Sequence, residues 1–84
     1  MLDKSTGDAP LHALKNGESG EVTRIHLTGR TKRRLIEMGI TPGVRVTITK
    51  RAPLGDPIEI LVRGYALTLR RDDAEQILVK KGSV

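Results

Sequence analysis

The chain contains no cysteine, no tryptophan and no phenylalanine, and its one aromatic residue is Tyr65. Without thiols there is no disulfide framework, no thiolate zinc site and no dithiol redox pair. Without a set of aromatics, the stacking platforms that hold single-stranded nucleic acids, worth ~1–3 kcal/mol per base, are missing as well. No apolar run approaches the ~18–20 residues needed to span a bilayer. Met1 to Pro10 carries Asp3, Lys4 and Asp8 and has no apolar signal core. These absences point to a soluble cytoplasmic protein whose core is aliphatic.

What is present is compatible with one small domain. Eighty-four residues bury only roughly 60–65% of the surface that the unfolded chain exposes, so the core is thin. The net charge of +5 favours an acidic partner, whether nucleic acid, an anionic membrane surface or an acidic protein face. Neither an internal repeat nor a low-complexity tract is found. Residues 1–10, rich in Ser, Thr, Gly and Pro, read as a flexible N-terminal tail, residues 11–80 as the folded domain, and residues 81–84 as a frayed C-terminus.

Within the domain, Leu11 and Leu14 precede the turn signal Asn16-Gly17 and fit one short helical turn pinned to the core. Gly20 to Leu27 reads as a strand. The odd spacing of Val22 and Ile25 predicts a bulge near Arg24. Thr31 is the expected N-cap of a helix ending before Gly39, with Leu35, Ile36, Met38 and Ile40 as its apolar stripe. Gly39 occupies the place of a positive-φ residue after the helix, and Pro42-Gly43 forbids continuation.

Three strands with period-two patterning follow: Val44, Val46, Ile48; then Ile58, Ile60, Val62; then Tyr65, Leu67, Leu69. A two-residue turn at Arg63-Gly64 sets Val62 opposite Tyr65, Ile60 opposite Leu67 and Ile58 opposite Leu69. All six then share one face, with the Tyr65 hydroxyl expected at its rim, and a slip by one residue would bury polar groups. Asp72 as N-cap with Glu75 at N3 predicts a last short helix burying Ala74 and Ile77, before a strand through Ile77-Leu78-Val79. The predicted fold is mainly β with short helices. It is a small SH3-like barrel of about five strands, with a helix inserted after the first.

Five residues stand out as candidates for contact with a partner. In R-A-P-L-G-D-P, Pro53 and Pro57 stiffen a connection in which Leu54, Gly55 and Asp56 lie off the strand pattern. Such a loop either simply joins two strands or presents Leu54 as an apolar anchor. Arg30, Lys32, Arg33 and Arg34 crowd the start of a helix, where cations oppose the macrodipole. Arg33 and Arg34 are therefore read as docking residues for acidic groups, against the alternative of a solvated face. His12 and His26 are the only histidines, and their separation has no HxH or HxxxH spacing. They are weak candidates for a divalent ion such as ferrous iron or zinc, helped by Glu37, Asp56 or Glu59. No nucleophile–base pair and no P-loop is present, so the chain is not read as an enzyme.

Four segments, taken in order, resemble the FeoA proteins of ferrous iron uptake. They are Leu11, Leu14, Lys15, Gly17, Glu18 and Gly20; Arg33 to Leu35 with Met38 to Ile40, Pro42 and Gly43; Arg51 through Pro57; and Arg63, Gly64, Tyr65, Leu67 and Leu69. The resemblance implies an SH3-like domain, similar to one at the C-terminus of DtxR-type metal-dependent repressors. It further implies a cytoplasmic adaptor or regulator that binds the cytoplasmic region of the membrane transporter FeoB and so reaches the membrane through its partner. Two alternatives stay open: a transition-metal-binding regulatory module and a small basic nucleic-acid-binding barrel, the latter disfavoured by the missing aromatics. A homodimer through a strand edge or the Leu54 loop is compatible with either.

Overall fold

The computed structural model describes residues 8–81. Six strands, β1 (Asp8–Pro10), β2 (Ser19–Ile25), β3 (Arg45–Arg51), β4 (Ile58–Val62), β5 (Tyr65–Leu69) and β6 (Ile77–Lys81), form one antiparallel sheet in the order β1-β6-β2-β3-β4-β5. Helix α1 (Gly29–Glu37) follows β2, and the short helix α2 (Arg71–Glu75) leads into β6. A 3₁₀ turn, Leu11–Ala13, closes the N-terminal end. The sheet curls around fifteen buried apolar residues, all of them aliphatic, with no polar or charged residue among those buried.

The register dictated at the β4–β5 hairpin is the one adopted. Val62 pairs with Tyr65, Ile60 with Leu67 and Ile58 with Leu69. Arg63 at φ 52° and Gly64 at φ 88° both take left-handed backbone, which gives the type I′ turn that matches strand twist. Ile58, Ile60, Val62 and Leu69 are buried and Leu67 partly so. Tyr65 departs from the expected core position. It is 44% exposed because β5 begins at the rim, and its hydroxyl donates to the main-chain oxygen of Met38.

That contact belongs to a well-satisfied helix end. The N–H of Gly39 donates to Ile36 O (3.0 Å) and that of Ile40 to Leu35 O (2.9 Å), the paired bonds of a Schellman motif. Gly39 sits at φ 99°, and a Cβ there would lie 3.0 Å from Cδ of Arg63 and 3.3 Å from the Tyr65 hydroxyl. The Arg63 Nε donates to Gly39 O at 3.3 Å. The β4–β5 turn thus closes over the end of α1. Leu35 and Ile40, the apolar pair that accompanies this motif, are both buried.

The bulge expected near Arg24 is present. Val22 pairs with Val79 and Arg24 with Leu78, leaving Thr23 as the extra residue, its hydroxyl donating to Leu78 O at 3.2 Å. Other expectations are corrected. Asp8–Pro10, placed in the tail, pair with Lys80, Val79 and Leu78 as a sixth strand. Lys81, placed in the frayed end, pairs with Gly20. The rest of those two expected segments lies outside the described residues.

Both predicted helix caps are displaced. Helix α1 starts before Thr31, with Thr28 as the flanking residue, and Arg70 rather than Asp72 flanks α2. Neither flanking side chain bonds the helix. Ile36 is 42% exposed, because α1 turns only its Leu35 edge to the core.

Candidate docking surface

The segment joining β3 to β4 is held by its own backbone. Gly55 N donates to Ala52 O (2.7 Å) and Ala52 N to Pro57 O (3.0 Å). Proline at the second place of that turn and glycine at the fourth, with Gly55 at φ 84°, are the residues a tight turn favours. The Asp56–Pro57 peptide is cis. Asp56 Oδ1 accepts the N–H of Arg71 at 3.0 Å, satisfying one of the donors that a helix leaves open in its first turn. Asp56 is therefore the missing cap of α2, delivered from another part of the chain.

Arg51 fixes the loop's other end. Its guanidinium donates to His12 O at 3.1 Å and also to Leu14 O, tying β3 to the 3₁₀ turn. Within this braced frame Leu54 is 94% exposed. A leucine held out by a self-bonded loop loses little conformational entropy on contact, the condition for an interface anchor.

On α1, Arg30, Lys32, Arg33 and Arg34 are all exposed, and the first turn has no acidic residue. Among the described residues the ion pairs are Lys81 with Glu18 at 2.9 Å and Lys50 with Glu59 at 4.0 Å. Among the described residues none of the α1 cations has a carboxylate within ion-pair distance. An open depression on the helix is bordered by Lys32, Arg33, Ile36 and Glu37, so an apolar contact stands among the charges. Sequence periodicity assigned Ile36 to the core and so missed it.

The loop and the helix are not separate surfaces. A cleft of about 320 Å³ at the loop base is lined by Lys50, Ala52, Pro53, Pro57 and Thr68, among others. Thr68 also lines a second cavity, whose other walls include Thr31 and Arg34 of α1. The two features flank β5, one on either side of Thr68. Thr68 is thus common to the depression at the base of the Leu54 loop and to the one that Arg34 lines.

The histidines do not converge. His12 carries an Nδ1 that is buried without a hydrogen-bond partner, while His26 is exposed and its N–H donates to Gln76 O at 2.7 Å. Among the described residues no group of three or more His, Cys, Asp or Glu side chains is placed to hold a metal ion. A divalent ion wants more oxygen or nitrogen donors than one imidazole supplies, so these residues do not fit a tight metal centre. Also among the described residues, no helix is long and apolar enough to cross a membrane.

Comparisons with known proteins agree with this fold. The FeoA domain profile matches residues 9–81. A fusion of Fe(2+) transport protein A with the Fe(2+) transporter FeoB from Porphyromonas gingivalis is 34% identical over 70 residues. The match covers 83% of this chain and 8% of the fusion, so the chain spans a small fraction of that relative's length. The solution structure of FeoA from Chlorobium tepidum superposes with a TM-score of 0.84 at 39% identity, covering 88% of this chain and 70% of that one. The zinc complex of Stenotrophomonas maltophilia FeoA, an SH3 domain protein, gives 0.71 at 27% identity, over 83% and 87% of the two chains. IdeR of T. acidophilum, at 22% identity and a TM-score of 0.81 over 98% of this chain and 37% of that one, shares the fold alone.

Proposed function

Because this chain belongs to the FeoA domain family, matched over residues 9–81, we propose that it is a regulatory adaptor docking on the cytoplasmic region of a FeoB-type ferrous iron transporter. The observation that carries this reading is Leu54, held out at 94% exposure on a loop whose base shares Thr68 with the depression that Arg34 lines. Leu54 is the apolar contact, with Gly55 and Asp56 beside it in the loop. Arg33 and Arg34 meet acidic groups, steering the encounter and fixing orientation. The fusion in Porphyromonas gingivalis supports it, since there a homologous domain and the transporter share one chain.

We read the arrangement as a binding surface, since its charges lie open to solvent. The test is a titration of the protein against the cytoplasmic region of FeoB from the same organism, at physiological salt, with and without ferrous ion. Saturable binding is expected, and Leu54→Asp should weaken it about 30-fold or more, as loss of a hot-spot residue does. The same variant should keep its thermal midpoint, because Leu54 touches no core. A Leu54→Asp protein that binds normally would overturn the assignment of the loop. Ferrous dependence of the affinity would indicate an ion bridging the two proteins, the one metal role left open to His12 and His26.

A further inference from the structure

The cavity beyond Thr68 has a composition that the docking reading alone does not explain. It encloses about 170 Å³ between α1, the end of β5 and the start of α2. Leu35 and Leu69, 3% and 4% exposed, supply its apolar depth. Arg34 and Arg70, both exposed, line it together with the hydroxyl residues Thr31 and Thr68. Asp73 is the only carboxylate among the lining residues. Two guanidinium groups against one carboxylate leave the pocket with a surplus positive charge. Among the described residues neither arginine has a carboxylate partner within ion-pair distance.

We propose that this pocket receives a glutamate side chain of the docking partner, with Arg34 and Arg70 as the clamp on its carboxylate. The proposal rests on the docking reading and adds to it a residue, Arg70, and the chemistry of the group that it recognises. An apolar depth beneath a cationic mouth suits a ligand with a methylene stem and a charged head. A free phosphate would leave Leu35 and Leu69 facing its hydration shell. Guanidinium forks accept carboxylates in paired hydrogen bonds, which gives geometric selection beyond charge. The threonine hydroxyls supply further donors. Among the described residues the hydrogen bonds of Arg70 are made by its main-chain oxygen, which accepts from Asp73 and Ala74 (both 3.0 Å).

Two measurements test the pocket, and they fail separately. In the first, side-chain Nε resonances of Arg34 and Arg70 are followed while glutarate, acetate or inorganic phosphate is added to the protein. Glutarate is expected to shift both arginines at lower concentration than acetate or phosphate do. Asp73→Asn should tighten its binding about three-fold by removing a like charge. Equal response to phosphate would make this a plain oxyanion site and overturn the glutamate assignment. No response, or weaker binding after Asp73→Asn, would show a self-neutralised structural cluster.

In the second, Arg34→Gln and Arg70→Gln are titrated against the FeoB cytoplasmic region beside Lys80→Gln, which removes an equal charge from β6. About ten-fold weakening is expected for each arginine and under two-fold for the lysine. Equal losses for all three would reduce the effect to net charge and overturn the clamp. If wild-type protein does not bind that region at all, the docking reading fails, and the glutarate titration still decides the pocket.

Discussion

The two connections that flank β4 solve the same problem in opposite ways. On one side Arg63 and Gly64 turn the chain in two residues, both with left-handed backbone, and the turn closes on the end of α1. On the other side the chain takes residues 52 to 57 to make an equivalent antiparallel reversal between β3 and β4. Two residues suffice for such a reversal, so the longer loop is surplus to the fold. The surplus is spent on a braced platform whose most exposed residue is apolar. Fold is concentrated in the short connection and candidate function in the long one.

The sharpest way to break this division is to truncate one side chain on each side of it. Ile60 lies at the centre of β4 with no exposed surface, paired with Ile48 and Leu67 on its neighbours. Ile60→Ala removes three buried carbons and leaves a cavity, for a loss of about 2–5 kcal/mol. A domain of this class has about 5–15 kcal/mol in total, so urea unfolding should show a large fall in midpoint with little change in slope. The Leu54→Asp protein should unfold like wild type in the same experiment. Comparable destabilisation by both would mean that the loop is part of the core, and the comparison would collapse.

A gentler probe cuts one place where the platform and the fold are joined. Asp56 accepts the N–H of Arg71 across 15 positions of sequence. Asp56→Ala leaves that donor unpaired and should cost about 0.5–2 kcal/mol, the range for loss of a helix cap. Asp56→Asn keeps an acceptor and should recover most of it. If binding to FeoB falls for Asp56→Ala but not for Asp56→Asn, the carboxylate acts by bracing Leu54 rather than by touching the partner. Equal loss of binding in both variants would instead assign it a direct, charge-dependent contact.

The same contrast explains what could be read from the chain before its structure. The β4–β5 hairpin was legible because alternation and turn chemistry are both local and agree. The bulge at Thr23 was legible because the spacing of Val22 and Ile25 cannot satisfy a regular strand. Strand β1 was not, since three residues ending in proline carry no alternation; only their partner β6 makes them a strand. Neither helix starts where the local Thr and Asp signals place it, and α2 receives its cap from Asp56. At the candidate site, Leu54 stood out by breaking the strand pattern. The Arg70 pocket could not, because its walls come from residues 31 to 35, 68 to 70 and 73, which only the tertiary fold brings together.

The smallest expected effect concerns a second brace, at the start of β2. Glu18 Oε1 accepts the N–H of Lys15 at 2.7 Å, and Oε2 meets Lys81 Nζ at 2.9 Å. Together they join the turn before β2 to the end of β6. The main-chain bond from Lys15 and then the Lys81 ammonium hold the Glu18 carboxyl below its ordinary value of 4.5. A carboxylate whose folded-state pKa is depressed contributes stability that is fully present above the unfolded value and lost as pH falls through the folded one. Acid titration of stability should therefore show a small loss beginning near pH 4.5 and continuing below it. Glu18→Gln should remove that portion of the pH dependence while changing neutral-pH stability little, because the pair is open to solvent and screened. Salt should act in the same sense, shrinking the difference between wild type and variant. An unchanged acid profile in Glu18→Gln would mean that the bonds seen at Glu18 carry no protonation-linked stability, and that the β2–β6 pairing alone holds this end of the sheet.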